Sequence, residues 1–423
     1  MTSHIFRDSL EYERRKATPF SVPHISLAEV HAAVPKSLHK KSTPKALYYV
    51  LRSIFFCVFF YLVAVYRMPR TLSWLESCRL HPWIEGAFVW LFWSLYWWWQ
   101  GVAFAGLWCL GHEAGHGTLS DHDWINHVLG YLLHTFLLVP YYSYKTLTNN
   151  TIQKAVGSIE RDENYVPRTR EDYKLPPEPV AQAFDYHDVF EETPLYTLCR
   201  MILMQIFGWQ SYLLFNTLGS PMYPEGTNHF SPNSPLFKDH QRTSIAISNV
   251  GLTAMACALY AYAEAVGTSA FVRIYLIPYL LANHWIVMLT FLHHSDPTIP
   301  HYREKQWTFL RGALATVDRP LLGWVGRFFL HNVSHDHISH HLFSYVRGPD
   351  LSYNQPRVTE IVRKVLGNDY NYDSTNTFRA LYRSFSECCF VENEGDIVFY
   401  KNKQGIAILA ATSVAAPHRA NTK

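Results

Sequence analysis

The sequence predicts an all-α, polytopic integral membrane protein with about four transmembrane helices and a helical cap on the cytosolic side. Three observations lead there. Aromatic residues make up 16% of the 423-residue chain and charged residues only 17%, a balance opposite to that of disordered, solvating chains. Four apolar runs have the length, about 20 residues, that crosses a bilayer. The 23 His gather near the ends of those runs. The net charge of +3 is too balanced for a nucleic-acid partner. Seven Cys without a CxxC pair argue against a disulfide scaffold or zinc ribbon.

Residues 1–45 are polar, with eight Lys/Arg against four acids. They read as a cytosolic N-terminal segment without a cleavable signal, because a basic excess before a first span stays inside. A membrane domain is expected over 46–342. Its first span, near 46–66, carries one charge, Arg52, placed to snorkel. The second, 87–110, is uncharged and rich in Trp. The stretch 128–142 is too short to span and is expected at the interface. So is 195–218, long enough but interrupted by Arg200, Gln205, Gln210 and Asn216. Further spans are expected at 243–266 and 271–292, followed by a cytosolic C-terminal segment, 343–423.

Two histidine groups have ligand spacing. His112-Glu113-Ala114-Gly115-His116 follows the second span. At i and i+4 of a helix both imidazoles share a face and can bind one metal. This pattern also fits a zinc protease with Glu113 as general base. The second group is His337, His340 and His341, with His331 and His335 just upstream. His293 and His294 close another span. A protease would leave the 337–341 group idle, and an imidazole-rich site without thiolates suits iron better. Topology agrees: with 195–218 laid flat, four spans bring every histidine group to the cytosolic face.

Several segments together resemble the membrane-bound fatty acid desaturases, specifically the fungal Δ12/ω3 group acting on oleoyl or linoleoyl chains. They are GHEAGHGTLS, LLVPYYSYK, GSIERDENYVP, NHFSPNSPLF, FLHHSDPTIPHY, LHNVSHDHISHHLFS and SFSECCFVENEGDIVFYKN. The resemblance runs almost end to end. It implies a multi-pass endoplasmic-reticulum enzyme with both termini cytosolic, whose His-rich di-iron site holds two Fe2+ ions. Such an enzyme uses O2 to remove two hydrogens from an acyl lipid, most simply placing a Δ12 double bond in an oleoyl chain. Electrons would come from cytochrome b5 and its NADH-dependent reductase. Carried over by motif, His112, His116, His294, His337, His340 and His341 are the implied iron ligands. His331, Asn332 and Glu113 are implied neighbours of that set.

One family motif is missing. A second histidine box, HxxHH, belongs between the YYSYK and GSIERD segments, yet no His lies between His134 and His187. Thr148, Thr151 and Ile152 occupy the box positions, and Thr is a poor ligand for iron. The codons of Leu147–Ile152, read two bases on with C at the wobble positions, spell His-Gln-Gln-His-His, an HxxHH in register. A local frame shift is therefore expected in the gene or its translation. The alternatives are a catalytically impaired paralogue that pairs with an active desaturase, and an enzyme with altered metal occupancy. Related ω3 desaturase, acetylenase, conjugase or hydroxylase activities would differ by few residues.

Overall fold

A computed structural model describes residues 6–147, 155–343 and 351–411. Among the described residues the regular structure is helical apart from one short two-stranded sheet and isolated bridges. Among the described residues, three helical stretches are long and apolar enough to cross a membrane: Thr43–Ser77, Asp239–Val266 and Thr268–His294. They cover three of the four expected spans.

The helix expected over 87–110 is present and longer, running Pro82–His116, but it is not one of those three. Trp90, Trp93, Trp97, Trp98 and Trp99 weigh little on a hydropathy scale. From Gln100 to Gly115 the helix is buried inside protein. The expected interfacial stretch 128–142 is two helices, separated at Leu137–Pro140.

In chain order come α1 (Leu10–Ala17) and α2 (Thr43–Leu62), the first long apolar helix. The central helix is α3 (Pro82–His116), followed by α4 (Asp123–Phe136) and α5 (Tyr141–Leu147). Further along come α6 (Pro194–Phe215), α7 (Arg242–Val266) and α8 (Ile277–His294). The last helices are α9 (His337–Phe343), α10 (Leu351–Leu366) and α11 (Thr377–Glu387). Strands β1 (Pro300–Tyr302) and β2 (Ile397–Phe399) pair antiparallel, Pro300 opposite Phe399.

Helix α3 packs against α2, α4 and α8, and α6 packs on α8. The docking of α3 on α8 has a backbone cause. Pro278 lacks an N–H and is preceded by a wide π turn, Val272–Leu276. Carbonyls left free there are taken from α3: the Tyr96 hydroxyl donates to Ile274 at 2.8 Å and the Trp97 indole to Arg273 at 2.9 Å. At its other end α3 stops at Gly117, whose φ of +73° closes the helix in the left-handed conformation. The last turn, with its two histidines, is thereby fixed at the end of the helix.

A buried ionic cluster joins the two ends of the chain to the segment just beyond α8. Asp296, two residues beyond α8, accepts from Arg319 at 2.6 Å and Arg15 at 3.2 Å. Asp373 is bridged by Arg319 and Arg383, and Arg383 also reaches Asp8 at 2.7 Å. Burial would raise the Asp296 carboxyl, but Arg15, Arg319 and Arg383 hold it down at about 2.

Candidate metal centre

Six histidines from three helices meet in two groups of three. His112 and His116 of α3 join His340 of α9; His294 of α8 joins His337 and His341 of α9. In each group the candidate ligand atoms all lie within 4.8 Å of one another. His112 Nε2 is 2.9 Å from His340 Nε2 and 3.0 Å from His116 Nε2. His294 Nε2 is 3.2 Å from His337 Nε2 and 3.3 Å from His341 Nε2.

The division of α9 between the groups follows from helical geometry. At about 100° per residue, positions 337 and 341 fall about 40° apart on the wheel, whereas 340 is about 100° from 341. Neighbours in sequence therefore fall in different groups, and α9 is the shared wall. Its start is fixed by Asp318, whose Oδ1 accepts the Ile338 N–H at 2.8 Å and whose other oxygen accepts the Tyr370 hydroxyl. Burial pushes that carboxyl up to about 8.

Three of the opposite ring nitrogens have a polar neighbour. The Tyr144 hydroxyl lies 2.7 Å from His112 Nδ1, the Glu113 carboxylate 3.1 Å from His340 Nδ1, and the Val333 carbonyl 3.2 Å from His337 Nδ1. Glu113 is itself oriented by the Thr118 hydroxyl at 2.7 Å. Such partners favour the tautomer that presents Nε2 toward the rest of its group. Burial, reinforced by neighbouring imidazoles, keeps His337 and His341 well below the ordinary histidine pKa, hence neutral with a lone pair available. Two all-imidazole sets of three, each with room for more ligands, fit a pair of first-row transition metals.

Other predicted residues lie elsewhere. His293 has its ring between the carbonyls of Leu289 and Ser334. The ring nitrogens of His331 contact Arg52 and Ser53 of α2, and the Asn332 side chain accepts from Arg327. Thr148, Thr151 and Ile152 lie outside the described residues. Tyr144 and Asp318 were not singled out in the sequence; Tyr144 lies within the YYSYK segment but carries no ligand-type signal of its own.

Comparison with known proteins agrees with this geometry. The family model for fatty acid desaturases matches residues 87–373. The chain is 34% identical over 401 residues to the Δ12 fatty acid desaturase of Arabidopsis thaliana, covering 93% of this chain and 96% of the relative. It is 34% identical over 399 residues to an endoplasmic-reticulum ω6 fatty acid desaturase of Brassica juncea, with coverage of 93% and 96%. With the Δ12 fatty acid desaturase of Mortierella isabellina it shares 35% identity over 387 residues, 90% of this chain and 92% of the relative.

Proposed function

Because this chain belongs to the fatty acid desaturase family, we propose that it inserts a Δ12 double bond into an oleoyl chain, using O2 and two iron ions. The observation that carries this reading is the convergence of six histidines into two neighbouring groups that share α9. His112, His116 and His340 would hold one ion and His294, His337 and His341 the other. Bound there, the ions supply the ability to activate O2 toward an unactivated C–H bond, which no side chain here possesses.

The protein's own part is placement. Tyr144, Glu113 and the Val333 carbonyl set the imidazoles. Trp108, stacked on His112 at 5.3 Å between ring centres, keeps water from that side. Four spans with both termini cytosolic, residence in the endoplasmic reticulum, and electrons from cytochrome b5 and its reductase complete the proposal. The relative named for that compartment supports the location.

The second histidine box belongs to the same proposal: the source transcript across Tyr141–Arg161 encodes HxxHH where Thr148, Thr151 and Ile152 now stand. Sequencing that transcript tests it directly, and a transcript reading TLTNNTIQ refutes it. Expression in a host that makes oleate but no linoleate, with chromatography of the fatty-acid methyl esters, tests the activity. Linoleate is expected from the frame-restored chain. A chain with its full histidine set and near two irons that leaves oleate unchanged refutes the Δ12 assignment.

A further inference from the structure

Arg52 stands nine residues past Thr43, about 14 Å along α2. A cation within a membrane helix is costly and marks a function. The sequence suggests that it snorkels, yet the guanidinium turns inward. It lies over the rings of Tyr49 and Phe328, at 4.7 and 4.1 Å from their centres. Its Nη2 donates to the Phe328 carbonyl and lies 3.3 Å from His331 Nδ1. The partners of this charge are thus two rings, a carbonyl and an imidazole rather than a carboxylate. The Phe328 carbonyl belongs to the last turn of a short helix, Trp324–Phe329, where carbonyls lack internal partners and attract cations.

A guanidinium only donates, so His331 Nδ1 accepts, and its Nε2 carries the proton that Ser53 Oγ accepts at 3.1 Å. Both ring nitrogens are committed to α2, and this buried histidine has no lone pair left for a metal. Burial and the adjacent guanidinium hold it down at about 3, so the ring stays neutral. What the ring fixes instead is backbone. His331 and Asn332 are consecutive non-glycine residues at positive φ, +51° and +68°, a conformation that persists only where its surroundings over-determine it. Downstream, the Asn332 carbonyl accepts the N–H groups of His335 and Asp336 at 2.8 and 3.0 Å, and the Asp336 carbonyl accepts that of His340 at 3.0 Å. With Asp318 at the Ile338 N–H, this left-handed turn sets where α9 begins. His337 takes its Nδ1 partner, the Val333 carbonyl at 3.2 Å, from the turn itself. His340 has a separate hold, the Glu113 carboxylate of α3.

We propose that Arg52 is a positioning residue for one half of the metal centre: carried by the first membrane helix, it holds the His331–Asn332 turn and through it presents His337 to His294 and His341. This rests on the reading of the six histidines as a metal centre and adds a residue that lies outside every histidine motif. The group of His112, His116 and His340 is anchored from α3 and does not depend on Arg52.

The test is cobalt(II) titration of the purified full chain in detergent, followed by the visible bands of the bound ion. Two backgrounds separate the groups: H116A leaves the His294 group complete, and H341A leaves the His112 group complete. Arg52→Met keeps the stem against Tyr49 and Phe328 while removing the donors. In the H116A background R52M should weaken cobalt binding about 10–100-fold and shift the bands, whereas in H341A the change should stay below about twofold. R52K, which restores a cationic donor, should bring the H116A affinity back to within about threefold. Ser53→Ala, a milder loss of the other ring partner, should move the same site in the same direction and serves if R52M does not fold. Equal weakening in both backgrounds, none in H116A, or no recovery in R52K overturns the assignment. Hydrogen exchange of the metal-free chain is an independent readout: amides of 333–341 should exchange at least about tenfold faster in R52M, with those of α3 unchanged. Unchanged exchange across 333–341 overturns the proposal as well. If exchange responds as expected but the unmutated chain binds no cobalt, the metal-centre reading fails and the hold of Arg52 on the turn stands.

Discussion

Replacing Gly111 by Ala should damage the metal centre from one residue away. A Cβ at Gly111 would sit 2.1 Å from His134 Cδ2 and 2.4 Å from its Nε2. Ordinary contact begins near 3.4 Å, so the ring or the helix must retreat by 1.3 Å (3.4 − 2.1). The ring has little room, packed against Trp108, Tyr141 and Tyr144 with Nε2 3.2 Å from the Trp108 carbonyl. Overpacking costs about 1–3 kcal/mol, and a buried imidazole pulled off its carbonyl about 1–3 more. The better helix propensity of Ala returns about 1, leaving roughly 1–5 kcal/mol of destabilisation. Gly115→Ala, one turn on, is the control: its nearest new contact is Lys145 Cα at 3.9 Å, so it should be neutral or gain up to about 1 kcal/mol. Thermal unfolding at a matched scan rate and iron per chain should therefore separate the two variants, with G111A lower on both. The double variant G111A/H134A should lose less than the sum of its single changes, since the clash partner is gone. Equal melting of G111A and G115A, or strict additivity in the cycle, would refute the reasoning.

Four further outcomes are expected. Glu113→Gln weakens the partner of His340 Nδ1 and should lower metal affinity about 10–100-fold, measured by competition with a colorimetric chelator. Asp296→Asn removes one buried anion from a cluster of arginines and should cost about 3–5 kcal/mol, read as a lower unfolding temperature. Burial raises Glu163 to about 7, so the folded state binds the extra proton between the ordinary carboxyl value and pH 7. Its contribution to stability is complete at low pH, falls by up to about 1.4 kcal/mol per pH unit on rising toward 7, and is flat above; melting from pH 4.5 to 8 should show that slope reduced in Glu163→Gln. Stripping metal with a strong chelator should lower the unfolding temperature, because the six histidines tie α3, α8 and α9 together; an unchanged melting curve would count against metal at this centre.

The histidine groups stood out in the sequence because helical spacing and position near apolar runs are local properties, whereas the choice of His294 over His293 came from the motif resemblance alone. Their partition was harder to see: His340 and His341 read as one group, and only the placement of α9 between α3 and α8 sends them to different centres. Glu113 shows the same limit. Its place in a His-Glu-x-x-His pattern allowed a general base, while its carboxylate in fact meets a ring from a helix more than two hundred residues away. The ionic cluster left no sequence signal, since Asp8, Arg15, Asp296, Arg319, Asp373 and Arg383 become neighbours only after folding. The α3 helix was expected from its uncharged run, but how it docks depended on carbonyls exposed by a turn near Pro278.

The ionic cluster also sets a timetable. Asp296 stands two residues past His294, yet the cations that neutralise it come from position 15, made early, and from 319 and 383, made much later. Strand β1, just beyond, finds its partner only at 397–399. During synthesis α3 and α8 are therefore made well before the floor beneath their histidines is fully charge-balanced and covered. A chain interrupted before residue 383 would hold its histidines above an ionic cluster short of one cation and beside an open strand edge. Metal loading would then be the last act of maturation, and prematurely terminated chains should turn over quickly rather than accumulate as half-built enzyme.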